Sequence, residues 1–358
     1  MRLQSLLQHA ACLAFALPLV AAAAVADQPA DPLLQRIDAL MQAYQGEVPG
    51  AAVLVLEDGA TVLARGYGLA DLEHDTAVSP TTNFRLASIT KQFTAAAILL
   101  LADDGRLAID DPLRKNLPSL PPELDAVTLR QVLTHSSGLL DYEELMAPDA
   151  VAQVHDADVL ALLETQPRTY FPPGSSWRYS NSGYALLALV VEQVSGMSFA
   201  DFLRERIFAP LGMQATVAHQ DGISTVAERA YGYSLEDGGW RRTDQSPTSA
   251  VLGDGGIYSS VADLARWDAA LYDDRLLSDA SRAAAFAPAV ASDDPEVAYG
   301  FGWRISGDTL WHSGESIGFR NVLVRWPAQR LTVVILSNRN DPEPHRTALA
   351  IGELFLAR

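Results

Sequence analysis

The chain has 358 residues, 49% of them apolar, and carries 44 acidic against 26 basic side chains, a formal net charge of −18. Such a balance argues against nucleic acid and anionic membrane surfaces as partners. The single cysteine, Cys12, falls inside an N-terminal targeting pattern, so the processed chain would have no disulfide, no cysteine-ligated metal and no cysteine nucleophile.

Residues 1–26 read as a secretory signal peptide. Arg2 gives the positive end, Ala10 to Val20 the apolar core, and Ala24-Val25-Ala26 a small-residue cleavage site before Asp27. The apolar stretch is too short and alanine-rich for a retained membrane span, so an exported protein, periplasmic or secreted, with no integral membrane segment is expected. Residues 27–358 suffice for one large two-lobed domain or two smaller ones.

Asp31-Pro32 opens a helical pattern through Leu34, Ile37, Leu40 and Met41. Strand-like runs follow at Ala51–Glu57 and Ala60–Gly66, joined at Asp58-Gly59, a strong hairpin signal. Phe84-Arg85-Leu86-Ala87-Ser88-Ile89-Thr90-Lys91 then leads into an apolar run to Ala102 without Gly or Pro, which predicts a buried helix starting near Ser88. Ser88 and Lys91, three residues apart, share one face of its first turn. Free backbone N–H groups at a helix start favour developing negative charge, which suits an attacking serine oxygen and an oxyanion. Lys91, one turn deeper among apolar residues, is short of hydration, the condition under which a lysine amine takes up a proton. The chain has only two lysines, Lys91 and Lys115, against 24 arginines. Arginine cannot give up its proton, so a lysine kept inside an apolar helix points to proton transfer rather than to charge alone.

Asp103-Asp104-Gly105 ends this helix, and a loop covers Arg106 to Leu113. Helical patterns then cover Thr128 to His135, Asp149 to Thr165, Tyr184 to Val194 and Phe199 to Ile207. Between them, Tyr179-Ser180-Asn181 lies in a segment rich in Pro, Gly and Ser. Tyr179 could carry a proton, and the Asn181 amide could hold both a lysine and a substrate amide, or the segment could be a capped turn around a packed aromatic.

After Gly253-Asp254-Gly255-Gly256 come a helix over Val261 to Leu271 and strands over Tyr299 to Ile305, Thr309 to His312, Phe319 to Trp326 and Leu331 to Ser337. An amphipathic helix over Glu343 to Leu356 closes the chain. This order predicts an α+β fold in which one antiparallel sheet is assembled from both chain ends and flanked by terminal helices. The sheet lobe would span about 27–87 and 254–358 and a mostly helical lobe about 88–253, with Ser88 at the seam, where substrate clefts usually lie.

Trp311-His312-Ser313-Gly314 falls at a strand end, where His312 could assist proton transfer or bind a substrate carboxylate and Gly314 could admit a ligand to the backbone. His74, His135, His155, His219 and His345 show no metal spacing, His135 reads as a turn brace, and neither metal nor cofactor is expected. Gly314-Glu315-Ser316-Ile317-Gly318 matches Gly-x-Ser-x-Gly. It is read as a chance match, because a strand rather than a helix follows and Asp341 and His345 are too close together for a triad.

Taken in order, Ser88-Ile89-Thr90-Lys91, Tyr179-Ser180-Asn181 and His312-Ser313-Gly314 resemble the serine β-lactamase-related family: class C β-lactamases, DD-carboxypeptidases, D-aminopeptidases and related esterases. Gly105 to Leu113, Leu133 to Leu139, Pro173 to Tyr184, Pro210 to Met213 and Gly255 to Trp267 are similar to further blocks of that family. The resemblance implies the β-lactamase/transpeptidase-like fold with a five-stranded antiparallel sheet. It also implies a mechanism in which Ser88 attacks a carbonyl, Lys91 and Tyr179 move the proton, and water later frees the acyl group. The N–H groups of Ser88 and Glu315 would hold the oxyanion, Asn181 would orient the substrate amide, and His312 and Gly314 would line the third motif. His312 stands where class C β-lactamases usually present lysine, and Glu315 adds a carboxylate at the rim. A small-molecule or peptide substrate cleaved at an amide or ester is therefore expected. A class C-like β-lactamase, and a non-catalytic or slowly turning-over sensor of the same fold, stay open.

Overall fold

The computed structural model describes residues 31–358; the signal peptide expected over residues 1–26 lies outside the described residues. Helix α1 (Pro32–Leu40) begins where the Asp31 carboxylate accepts the Leu33 N–H at 2.9 Å and proline occupies the first turn. Strands β1 (Ala51–Glu57) and β2 (Ala60–Tyr67) form the expected hairpin. Its turn residues Asp58 and Gly59 both take positive φ, 51° and 79°, which Asp-Gly tolerates and a β-branched pair would not. Helices α2 (Thr90–Asp103), α3 (Asn181–Ser195) and α4 (Val261–Ala270) follow. Strands β3 (Thr309–Ser316), β4 (Phe319–Trp326) and β5 (Leu331–Ser337) and helix α5 (His345–Leu356) end the chain.

The sheet is antiparallel throughout. Three short strands (Val290–Ala291, Ala298–Tyr299, Arg304–Ser306) extend one edge, followed across the sheet by β3, β4, β5, β1 and β2. β1 therefore lies between a strand from the far end of the chain and its own hairpin partner, with Ala51 opposite Ser337 and Glu57 opposite Leu331. The two faces of β1 serve two cores, as strand alternation demands. Ala52, Leu54 and Leu56 join the core shared with α2, α3 and α4, whereas Ala51, Val53 and Val55 pack with Ile37 of α1, Met41 just after it, and Ile351 and Phe355 of α5. This is the α+β architecture with terminal helices on one face of the sheet and the helical part of the chain on the other.

Where the structure departs from the sequence pattern, a local contact explains it. The strand expected over Tyr299–Ile305 is two short strands around a turn. Gly302 at the turn has φ 79°, and a Cβ there would stand 2.7 Å from the Lys91 carbonyl oxygen, so the chain bends tightly against α2. β3 runs four residues beyond the Thr309–His312 pattern, because Ser313, Gly314 and Glu315 lack alternation yet pair with Val322, Asn321 and Arg320. The helix expected from Asp149 begins only at Asp156, where Asp158 accepts the His155 N–H at 2.9 Å. A hairpin of Tyr233–Glu236 with Gly239–Arg242 and a helix over Asp279–Phe286 were not marked by periodicity. Among the described residues no single helix is long and apolar enough to cross a membrane.

A buried ion pair fastens α4 to the sheet. Asp268 Oδ1 accepts from Arg325 Nε at 2.7 Å and from Thr332 Oγ1 at 2.8 Å, with the side chains of Arg325 and Asp268 1% and 3% exposed. Breaking one side of such a pair strands a buried charge, which costs about 3–5 kcal/mol. Asp268→Ala is expected to lose that much in urea unfolding, while the double variant Asp268→Leu/Arg325→Met loses clearly less.

Candidate active site

The strand Phe84–Arg85 pairs with Ile257–Ser259, and the Leu86 N–H donates to the Ile257 carbonyl at 2.8 Å. The next residue, Ala87, has φ 49°, a left-handed conformation that residues with a Cβ adopt at a cost of roughly 1–3 kcal/mol. That bend turns the strand into a single helical turn over Ala87–Ile89 and then into α2. Ser88 thus stands just ahead of α2, and Lys91 lies in its first turn.

Lys91 is completely buried. Its Nζ lies 3.1 Å from Ser88 Oγ, 2.8 Å from Asn181 Oδ1 and 3.0 Å from the carbonyl oxygen of Asp254. The ring of Tyr179 faces Nζ with its centroid at 4.8 Å, and the Tyr179 hydroxyl is buried with no hydrogen-bond partner among the described residues. Ser88, Lys91 and Asn181 are therefore joined by direct hydrogen bonds, and Tyr179 is held beside them by its ring.

His135 fixes that ring. Its carbonyl accepts the Arg178 N–H at 3.0 Å and its Nδ1 accepts the Ser180 N–H at 3.2 Å, so it grips the backbone on both sides of Tyr179. The two rings pack at a 36° tilt with centroids 4.3 Å apart. Burial holds the imidazole neutral by pushing its pKa well below the usual histidine range. A residue that reads as a turn brace in the sequence thus braces the turn that carries Tyr179. Asp141 does the same for Asn181: one carboxylate oxygen accepts the Asn181 N–H at 2.7 Å and the other the Glu143 N–H at 3.1 Å, capping α3 and the short helix Tyr142–Leu145 together.

The third motif approaches from β3. Gly314 packs so closely on the Ser88 turn that a Cβ would lie 2.0 Å from the Leu86 carbonyl oxygen. Opposite it on β4, Asn321 donates through Nδ2 to the Arg85 carbonyl at 2.8 Å and accepts the Ser337 N–H at 3.1 Å, which ties that turn to the sheet. Pairing of β3 with Arg304–Ser306 stops at Trp311, so the outer edge of β3 from His312 onward is left open. Across the two-residue turn after Ser316, Ser316 pairs with Phe319. Alternation of antiparallel pairs then points the Glu315 N–H away from β4, toward that open edge.

His312 is 1% exposed and does not line the cavity above Ser88. Its Nδ1 lies 2.6 Å from the Ser313 carbonyl and so must carry the proton, leaving Nε2 to accept from the Tyr299 hydroxyl at 2.9 Å. Burial, with the nearby Arg304 charge, lowers its pKa to about 3. The third motif accordingly offers no cation to a ligand at neutral pH.

A cavity of about 210 Å³ opens above Ser88, lined among others by Glu143, Asn181, Asp254, Gly255 and Glu315. Asp254 is a residue the sequence marked only as part of a glycine-rich boundary. Its carboxylate Oδ2 accepts from the Tyr142 hydroxyl at 3.2 Å, and burial pushes its pKa up to about 8 against the pull of Lys91. Burial also raises Glu143 and Asp141 above the usual carboxylate range. Among the described residues no group of His, Cys, Asp and Glu is placed to hold a metal ion.

A family model described as Beta-lactamase matches residues 1–357. Penicillin-binding protein 4* of Bacillus subtilis is 33% identical over 316 residues, covering 83% of this chain and 70% of the relative. Protein flp of Staphylococcus aureus is 28% identical over 321 residues, covering 86% of this chain, and the chain spans 63% of that relative's length. The structure of the octameric penicillin-binding protein homologue from Pyrococcus abyssi superposes with a TM-score of 0.81 at 28% identity, covering 91% of this chain and 77% of that one.

Two outcomes follow from the geometry. An unfolded aspartate ionises near 3.8 and folded Asp254 near 8, so between those values the folded protein keeps a proton that the unfolded chain has lost. Stability from this group is full below about pH 4 and falls as pH rises to about 8. Denaturant unfolding at pH 5 and pH 8 should therefore show Asp254→Asn gaining on the wild type at the higher pH. Gly314→Ala, whose methyl group must push β3 off the Ser88 turn, is expected to cost about 1–3 kcal/mol in urea unfolding.

Proposed function

The chain belongs to the Beta-lactamase family, a family of serine hydrolases, and from that premise we propose that it is an exported hydrolase that forms an acyl-enzyme on Ser88 and cleaves a peptide amide or an ester. The observation that carries this reading is the 3.1 Å approach of the fully buried Lys91 Nζ to Ser88 Oγ at the floor of the cavity. As Oγ bonds to the carbonyl carbon, its proton passes to the Lys91 amine, which acts as the general base. The oxyanion is met by the N–H groups of Ser88, ahead of α2, and of Glu315, on the open edge of β3. The bond to the leaving group breaks as a proton reaches it from Lys91 by way of the Tyr179 hydroxyl, which has no competing partner among the described residues. Water then attacks the acyl carbon, and the same groups return the proton to Ser88. Asn181, whose Oδ1 holds Lys91, orients the substrate amide. Export rests on the charge and apolar pattern of residues 1–26.

The neutral, enclosed His312 supports a peptidase or esterase over a β-lactamase, since a β-lactam carboxylate would find no cation at the third motif. Intact mass after a fluorophosphonate probe should show one adduct on the wild type and none on Ser88→Ala. Turnover of p-nitrophenyl acetate should fall at least about 1,000-fold in Ser88→Ala and in Lys91→Arg. Rapid loss of added penicillin would move the reading to a β-lactamase. No adduct and no turnover in well-folded wild type would leave a binding protein of this fold.

A further inference from the structure

We propose that a second cavity, which shares only Arg85 with the one above Ser88, binds a compact oxyanion with two negative charges, of the phosphate class. This cavity of about 210 Å³ is lined by three arginines, Arg85, Arg229 and Arg242. In a chain with a net charge of −18, such a gathering of cations runs against the general trend. Two tyrosine rings interleave the guanidinium groups. The Tyr258 centroid lies 5.2 Å from Arg85 Cζ and 5.0 Å from Arg229 Cζ, and the Tyr231 centroid lies 5.1 Å from Arg229 Cζ and 3.3 Å from Arg242 Cζ. The rings hold the three cations side by side without neutralising them.

The acids of the cavity wall do not balance that charge. Asp244 Oδ2 accepts from Arg229 Nη2 at 2.6 Å and from Gln245 at 3.3 Å, and its Oδ1 is taken by the Gly232 N–H at 2.8 Å. Arg85, 3% exposed, donates only to neutral acceptors: twice to the Ser249 carbonyl at 2.9 Å, to the Tyr258 hydroxyl at 3.3 Å and to the Gln245 side chain at 3.4 Å. Arg229 Nη2 also reaches the Tyr258 hydroxyl at 3.0 Å, whereas its Nε is buried with no partner among the described residues and no described residue accepts from Nη1. Arg242 makes no side-chain hydrogen bond to a described residue and approaches a carboxylate only at Glu73 Oε2, 3.7 Å away. Asp221, also on the wall, is exposed. His219 lines the cavity as well, and the charges of Arg229 and Arg85 add to burial in lowering its pKa, the response of a base in a positive field.

Three guanidinium charges less the one carboxylate hydrogen-bonded to them leave 3 − 1 = 2 positive charges, close to what a phosphate group carries near neutral pH. Arginine's planar fork of N–H donors matches the oxygens of such an ion, and the unused donors of Arg229 and Arg242 are the ones it would engage. The side chains of these two arginines are 18% and 35% exposed, so the ion enters from solvent and a group attached to it can project outward.

The test is calorimetric titration of the full chain with sodium phosphate and, in parallel, with phenyl phosphate, near neutral pH and at constant ionic strength. The wild type should bind inorganic phosphate saturably at one site per chain. Arg242→Gln and Arg229→Gln should each weaken binding about 10-fold or more, the loss expected for hydrogen bonds to a charged group. Arg36→Gln, which removes an exposed arginine from α1, should leave it unchanged. Asp221→Asn, which takes a carboxylate from the cavity wall, should tighten binding about 2- to 5-fold, a gain that a folding defect does not produce. Phenyl phosphate binding as tightly as phosphate would identify the occupant as the phosphate group of a larger molecule, and binding of inorganic phosphate alone would identify a free ion. No saturable binding in folded wild type, binding unchanged in both Arg242→Gln and Arg229→Gln, or an equal loss in Arg36→Gln would overturn the proposal. None of these results depends on the adduct at Ser88, so the anion site stands or falls apart from the hydrolase reading.

Discussion

A lysine amine with no access to water must find its partners inside the protein, and most of this molecule can be read as the means of supplying them to Lys91. The three acceptors come from three separate parts of the chain: the turn ahead of α2, the first residue of α3, and the glycine-rich segment before the strand Ile257–Ser259. Leaving one of these bonds unmade would strand a buried donor, a penalty of about 1–3 kcal/mol or more for a charged group. The packing of α2 against α3 and of the Ser88 turn against β3 is therefore specified by polar geometry as well as by apolar area.

Around that centre the supporting contacts are mostly between a side chain and the backbone. His135 grips both neighbours of Tyr179, Asp141 caps two helices at once, and Asn321 spans from the sheet to the strand that delivers Ser88. Each fixes a main-chain position and so orients the functional side chain attached to it. The left-handed Ala87 persists because the Leu86 bond to Ile257, the close approach of Gly314 and the Asn321 bond leave that turn little alternative.

Much of the architecture was legible in the sequence because it is written in periodicity: the Asp58-Gly59 hairpin, the apolar α2, and strands near both ends with helices between. Ser88, Lys91 and Asn181 stood out for local reasons, a three-residue spacing on a helix, a scarcity of lysine, and a turn leading into a helix. Asp254 and Glu143 carried no such mark. An acid beside glycines or in a short helix looks like any surface acid in sequence: the fold buries Asp254 against Tyr142, about 110 residues away, and brings Glu143 to the Asn181 side chain. The break at Gly302 was hidden for the same reason, since the need for a turn there comes from the backbone of α2. His312 was legible as part of a motif, but its neutral, enclosed state was not, because that depends on Tyr299 and Arg304 arriving around it.

The placement of β1 has a consequence for how the chain reaches this state. The Gly50 N–H donates to the Asn338 side chain, 288 residues away, and β1 cannot be covered on its β5 side until the last strand exists. Until then the β1–β2 hairpin has one unpaired and strongly apolar edge, the kind of edge that invites association with other chains. Pairings so remote in sequence are closed late and slowly, because loop entropy must be overcome before they contribute anything. Ribosome transit gives this chain no early reward, for its central sheet forms only after β5 has been made. Its refolding yield should accordingly be governed by protein concentration and by whatever shields that first hairpin during the wait.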